Sequence, residues 1–578
     1  MQKISIGSSN RGKIIGAGLL VFIVAFMVYA NTLLNDFIWD DEYLILNNSQ
    51  VKSFTHLPKV FKTYVGYGSE NINNFYRPIQ EISNMIDYFL WGEYPVGFHL
   101  TNVVLHALVS LMVFLFLFYV SGDVLASCIA ALFYSVHPVH SEAIAYIAGR
   151  ADSLYAFFML LSLVLFIRHV NRVKTGKSGI ALYILSIFFF IISLLSKEII
   201  ITMPLLIFLY MAFFLKNRGE FNSVYAKLKL RWIPYAVVAG VYAYLRLTVL
   251  SFAGIAPPSA FTKIPLLYRL VTFFRTIGVY FRLMVFPVDL RMERTIDISR
   301  ALLNPGSLLA MGKIAAIIWI AYKTYKTNRL VSFSIVWFFA NLLPVSNLVP
   351  INSFIAEHWI YVASIGPFFL LGMGLTWLYR NAFSRVKATS VLFFVLVAFF
   401  VGIYFRLTVI RNVDWRDEIT FFHATLKYHP RNARLYLNLG NTYYEKGEID
   451  KAIEQYRNAT KINKDYAVAY GNIGSAYLHK KNINEAEEYL TKAIGLKYNY
   501  PIAHYNLGII YFQKKQYDDA IKELTVATEQ LPQLFQAWNM LGRTYMNVGQ
   551  RDKAREAFQR SLQIMPNQPI IQKAVDRL

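Results

Sequence analysis

Apolar positions in the first 411 residues come as long runs separated by short polar links, not as one-sided stripes. The runs fall at roughly 14–34, 97–119, 124–136, 150–168, 179–195, 199–215, 231–252, 306–324, 330–344, 360–380 and 388–410. A membrane-crossing helix needs about 20 predominantly apolar residues, so the pattern predicts about eleven spans, several of them short. One more apolar run, Leu266 to Phe286, carries Arg269, Arg275 and Arg282. An Arg at mid-bilayer costs about 2.5–3.5 kcal/mol, which predicts a re-entrant or interfacial segment packed on protein in place of a twelfth crossing.

Beyond Arg411 the chain repeats itself. Units begin at Tyr436, Tyr470, His504 and Trp538, each 34 residues after the last. Gly440, Gly474, Gly508 and Gly542 hold that register, as do Tyr443, Tyr477, Tyr511 and Tyr545, and Ala452, Ala486, Ala520 and Ala554. This is the tetratricopeptide pattern of paired helices, in which the glycine lets two helices approach and the large residues fill the gap between them. The fold class is therefore all-α: a polytopic membrane domain over 1–411, a partial leading repeat or linker over 412–432, four repeats over 433–566 and a capping helix over 567–578. The Tyr positions read as core rather than ligand contacts.

Composition agrees. Of 578 residues 56% are hydrophobic and 16% charged, against about 45–50% and about 25% in soluble domains. The net charge of +23 has no basic face or stacking motif beside it, which excludes nucleic acid as a partner. Instead it marks loops: 168–177, 215–232, 322–329 and 379–387 are densely basic. With eleven crossings and a cytoplasmic N-terminus all four face the cytoplasm, and the repeats lie outside. The basic lead before the first run precedes an apolar stretch too long for a cleaved signal, so that stretch reads as a permanent span. The single cysteine, Cys128, excludes internal disulfides and cysteine metal sites.

That topology, set by the basic loops alone, sends every unusual polar stretch to the outer side: Asp40 and Asp41 in "WDD", "FYRPIQE" with Arg77, "HPVHSEAIAYIAGRADS", "SKE" and "AEHWIYVASIG". Ionisable groups at membrane depth are costly and point to function. Each also has a plain structural reading: solvated helix ends for the aspartates, satisfied helix-end histidines for His137 and His140, an interfacial pair for Lys197 and Glu198. Together they suit transfer from a lipid-phosphate leaving group. A carboxylate would deprotonate an acceptor hydroxyl while Arg or Lys neutralises the departing phosphate. Spacing alone does not say which aspartate is the base. No nucleotide loop, GxSxG or zinc-protease helix occurs, and a divalent metal is compatible with this chemistry although no ligand set demands one.

"WDD" after the first span, "YRP", "HPVHSEAIAYIAGRAD", "SKE" and "AEHWIYVASIG", followed by the repeats, resemble the transmembrane and tetratricopeptide-repeat O-mannosyltransferases, GT-C-class membrane glycosyltransferases. The resemblance implies transfer of mannose or a related sugar, with inversion, from a polyprenyl-phosphate donor to Ser or Thr hydroxyls of exported proteins. It implies a catalytic acidic pair at Asp40 and Asp41 and motif residues at His137, His140, Glu142 and Arg150, Lys197 and Glu198, and Glu357. The family's Glu-Arg pair is Glu357-His358 here, which replaces a permanent cation with a conditional one.

The expectation is an integral membrane enzyme, in the cytoplasmic membrane if the cell is prokaryotic, with site and repeats outside. Asp40 or Asp41 is the base, Glu142 a positioning acid, and Arg77 and Lys197, then Arg275 and Arg282, candidates for the phosphate. The repeats would present the exported acceptor. A non-catalytic repeat scaffold and a transferase acting on a lipid or cell-wall glycan are the rival readings.

Overall fold

The computed structural model describes residues 8–69, 73–216, 222–252, 263–292, 294, 296, 298 and 304–578. The start of the basic lead and part of the 215–232 loop lie outside them. Among the described residues there is no strand. The chain divides into two compact units, Met1–Thr420 and Phe421–Leu578.

Each expected run forms a helix in the first unit. Together with one further helix that no apolar run announced, α2 (Pro78–Trp91), these are in chain order α1 (Ser8–Tyr29), α3 (Pro95–Ser121), α4 (Val124–Ser135), α5 (Arg150–Lys174), α6 (Ile180–Ser196), α7 (Met203–Phe214), α8 (Ile233–Leu247), α9 (Leu266–Val285), α10 (Pro305–Thr327), α11 (Arg329–Leu342), α12 (Ile365–Leu378) and α13 (Lys387–Val413). Among the described residues five helices are by themselves long and apolar enough to cross a membrane, or seven if each of two bent pairs is one span. Adding the three shorter apolar helices, Ile180–Ser196, Glu198–Phe214 and Arg329–Val345, gives ten, and the remaining expected run, 231–252, forms only the 15-residue α8; each falls below the roughly 20 residues a straight span needs. The helix α5 is central, with 78% of its apolar window buried, whereas α13 has only 6% buried and turns its apolar surface outward. The Arg-bearing run is one unbroken helix, α9, with no reversal inside it. Its Arg269 is buried and donates to the carbonyls of Asn347 and Leu348 at 2.6 and 3.2 Å, so backbone dipoles receive the charge that lipid would reject.

The basic loops share one end of this unit. Arg329 donates to the carbonyls of Phe213 and Lys216, Arg231 lies 4.7 Å over the Tyr183 ring, and Arg380 pairs with Asp123 at 2.8 Å. From there α5 runs 25 residues, about 37 Å at 1.5 Å per residue, to Arg150 at the other end.

In the second unit, helices Ala433–Glu445 and Ile449–Ile462 form the first pair, followed by Ala467–His479 with Ile483–Leu496, Pro501–Gln513 with Tyr517–Gln530, and Phe535–Asn547 with Arg551–Ile564. Pro569–Arg577 closes the stack. A Cβ on Gly440, Gly474, Gly508 or Gly542 would sit 2.4–2.6 Å from Tyr456, Leu490, Leu524 or Phe558 respectively. Each glycine therefore exists because a large side chain of the partner helix occupies that space. Ala452, Ala486, Ala520 and Ala554 are all fully buried.

Candidate active site

The end of the first unit opposite the basic loops holds a cavity of about 870 Å³, lined among others by Asp40, Arg77, Glu142, Lys197, Glu198 and His358. These six belong to five sequence segments. Tyr43, Tyr146, Asp152 and Trp359 share the lining.

After α1 the chain tightens into a 3₁₀ turn, Ala30–Leu34, and then extends. Trp39 adopts φ 48°, a left-handed conformation unusual for so large a residue, and it aims the next two side chains apart. Asp41 turns inward and is fully buried: Oδ2 accepts from the Ile38 N–H at 3.1 Å and Oδ1 from the Ala148 N–H at 2.8 Å. Burial holds its carboxyl well above the usual range despite those donors. Asp40 turns to the cavity between Tyr43 and Tyr146, and its own N–H donates to the Tyr146 hydroxyl at 3.1 Å. Residues just beyond α13 brace this loop. Asp36 N–H donates to the Arg416 carbonyl, Trp39 N–H to Glu418, and Trp415 stacks on Tyr146 at 5.5 Å.

Two cations are each held by a carboxylate. Lys197 Nζ lies 2.7 and 2.8 Å from the two oxygens of Asp152, both side chains nearly buried. Arg77 meets Glu198 with two N–H donors, at 3.2 and 3.3 Å, and stacks on Phe75. Such pairing meets the cost of holding charge in a poorly hydrated pocket. On the facing side Glu142 accepts from the His358 backbone N–H at 3.1 Å and approaches its Nδ1 at 2.7 Å. Glu357 points away from His358, accepting from the Arg291 N–H and pairing with Arg294 at 3.1 Å.

The other expected site residues lie elsewhere. His137 Nε2 meets the Met284 carbonyl, and its Nδ1 accepts from the Val139 N–H. His140 meets the Tyr134 carbonyl and the Ser364 hydroxyl. With both rings fully buried, these are interior ties between helix ends. Arg150 is fully buried, paired with Asp87 at 2.6 Å and donating to Asn102, Asn84 and the Phe98 carbonyl, so it pins α2 to α3. Arg282 pairs with Asp289 at 3.1 Å on the surface, and neither it nor Arg275 lines the cavity. Asp152 and Tyr146 do line it without having been singled out. The available signal was an aspartate two residues into an apolar helix, inside a stretch already notable for its polarity. Among the described residues no group of three or more His, Cys, Asp or Glu side chains is arranged to hold a metal.

Comparison with known proteins covers both units. Models described as TPR repeat and Tetratricopeptide repeat match residues 440–481, 477–541 and 535–568. Curated relatives include Protein O-mannosyl-transferase F38B6.6 of Caenorhabditis elegans, 26% identical over 78% of this chain and 63% of that protein. Others are Protein O-mannosyl-transferase TMTC3 of Mus musculus, 26% identical over 77% of this chain and 51% of that protein, and Protein O-mannosyl-transferase TMTC4 of Homo sapiens, 27% identical over 76% and 65%. This chain thus spans about half to two thirds of the length of the curated relatives it matches. Among solved structures, the crystal structure of MamA protein is 30% identical over 25% of this chain and 80% of that chain, with a TM-score of 0.23. A 78% share is more than the repeats could supply and must extend through the membrane unit. By that similarity the chain is a relative of the transmembrane and tetratricopeptide-repeat protein O-mannosyltransferases.

Proposed function

We propose that this protein is a membrane glycosyltransferase of the GT-C class that moves mannose, or a related sugar, from a polyprenyl phosphate to Ser or Thr hydroxyls of exported proteins. The observation carrying this reading is the meeting of Asp40, Arg77, Glu142, Lys197 and His358, distant in sequence, around one cavity at the end away from the basic loops. In the proposed step the acceptor hydroxyl gives its proton to Asp40 and its oxygen bonds to the sugar's anomeric carbon. The bond from that carbon to the phosphate oxygen breaks on the opposite face, which inverts the configuration. Arg77 and Lys197 offset the charge of the leaving phosphate, exchanging part of their contact with Glu198 and Asp152 for it. Asp41, tied to two backbone N–H groups, positions the loop and does not touch the acceptor. Glu142 orients His358, whose second ring nitrogen is left for the donor. The site faces the extracytoplasmic side, and the repeats hold the acceptor chain, as stacked helix pairs do for extended peptides.

Asp40→Asn is expected to lower transfer from a polyprenyl-phosphate mannose donor by about 10²-fold or more while the protein still folds and inserts. Asp41→Asn lowers both activity and melting temperature, because it breaks the tie between the Ile38 and Ala148 segments. Full activity in Asp40→Asn removes the base assignment. Exported proteins that carry the same hexose with and without this gene, by mass spectrometry, remove the acceptor assignment.

A further inference from the structure

The helix α2 is inside out. Its polar residues Gln80, Glu81, Asn84 and Asp87 form a buried stripe, whereas Ile86, Phe89, Leu90 and Trp91 are exposed, Phe89 to 74%. A helix on a water-facing surface has the opposite arrangement. Each residue of the buried face is tied to the protein: Gln80 donates to the Ala148 carbonyl, Glu81 accepts from the Gly66 N–H, and Asn84 and Asp87 hold Arg150. No rotation about the helix axis could hide the apolar stripe without breaking those bonds. Beside it, Phe54 packs edge-on against Phe89 at 5.6 Å, and Leu57 and Phe61 extend the same exposed apolar surface.

We infer that this surface, α2 together with Phe54–Phe61, lies in the lipid headgroup region of the bilayer leaflet on the cavity side. Two further features select lipid over a protein partner. First, only Gly92–Tyr94 separate α2 from the span α3, which fixes α2 at the bilayer boundary. There Trp91 and Tyr94 stand where interfacial aromatics gather. Second, Lys59 and Lys62 are exposed on the flank, matching the negative charge of phospholipid headgroups, as in other interfacial amphipathic elements. The inference concerns lipid contact alone and does not depend on the proposed chemistry.

The test uses the full chain with Cys128→Ser, so that a single introduced cysteine carries a bimane fluorophore. Phe89→Cys and, separately, Leu90→Cys are labelled in nanodiscs of phosphatidylcholine and phosphatidylglycerol; Lys464→Cys, exposed on a repeat, is the aqueous reference. Lipids spin-labelled near the top of the acyl chain are expected to quench the α2 labels about twofold or more, with iodide changing them by less than about a fifth. The reference label is expected to respond to iodide alone. Quenching of both α2 labels by iodide to the level of the reference overturns the inference. So does protection from both quenchers, the result for a face covered by another protein or a second copy of this chain.

Discussion

Neighbouring aspartates with opposite surroundings illustrate how little a residue type decides alone. Asp40 and Asp41 differ by one position, yet the left-handed backbone at Trp39 sends one to the cavity and the other into the protein. Glu81 carries the clearest pH consequence. It is buried with three hydrogen-bond donors from Gly66, Asn48 and Gln50, and burial pushes its carboxyl from 4.5 up to about 7. Between those values the folded form keeps a proton that the unfolded form has released, so stability falls as pH rises through this window. The free energy of unfolding at about pH 5.5 is therefore expected to exceed that at about pH 7.5 by an amount on the order of 2 kcal/mol, and Glu81→Gln is expected to flatten that difference. An unchanged slope in the variant would assign it to other groups.

At the scale of elements, the repeats show sequence and geometry in register. The turn inside each helix pair has positive φ at Gly447, Lys481, Lys515 and Gly549, again 34 residues apart. Glycine adopts that conformation without cost, whereas lysine is strained there by about 1 kcal/mol. Lys481→Gly is thus expected to raise the melting temperature of the repeat unit by about 2–4 °C, and a fall in thermal unfolding scans would contradict it. The contrast with α9 is instructive. Its three arginines disqualify it as a simple span by composition, yet only packing reveals that Arg269 is absorbed by carbonyls of the 347–348 loop while Arg282 stays at the surface.

For the whole molecule, charge is sorted along the membrane unit, with basic loops at one end and the mixed-charge cavity at the other. If the basic end is cytoplasmic, a membrane-impermeant maleimide should label Lys62→Cys in intact cells, whereas Lys326→Cys should react only after permeabilisation. Lys464→Cys on the repeats should follow Lys62→Cys. Labelling of Lys62→Cys and Lys464→Cys from opposite sides would end the proposal that the repeats deliver acceptors to this site.

The sequence by itself determined the all-α architecture, the four repeats with their glycine and alanine positions, the apolar runs and the segments that build the site. Hydrophobic period and the 34-residue register are local properties, fixed by which side chains must leave water, and they are legible along a line. It was tertiary structure that assigned His137, His140 and Arg150 to the interior, brought Asp152 and Tyr146 into the cavity wall, paired Glu142 with His358 and turned the polar face of α2 inward. Those outcomes depend on which distant groups can satisfy one another once water is excluded, and no one-dimensional pattern records such partners.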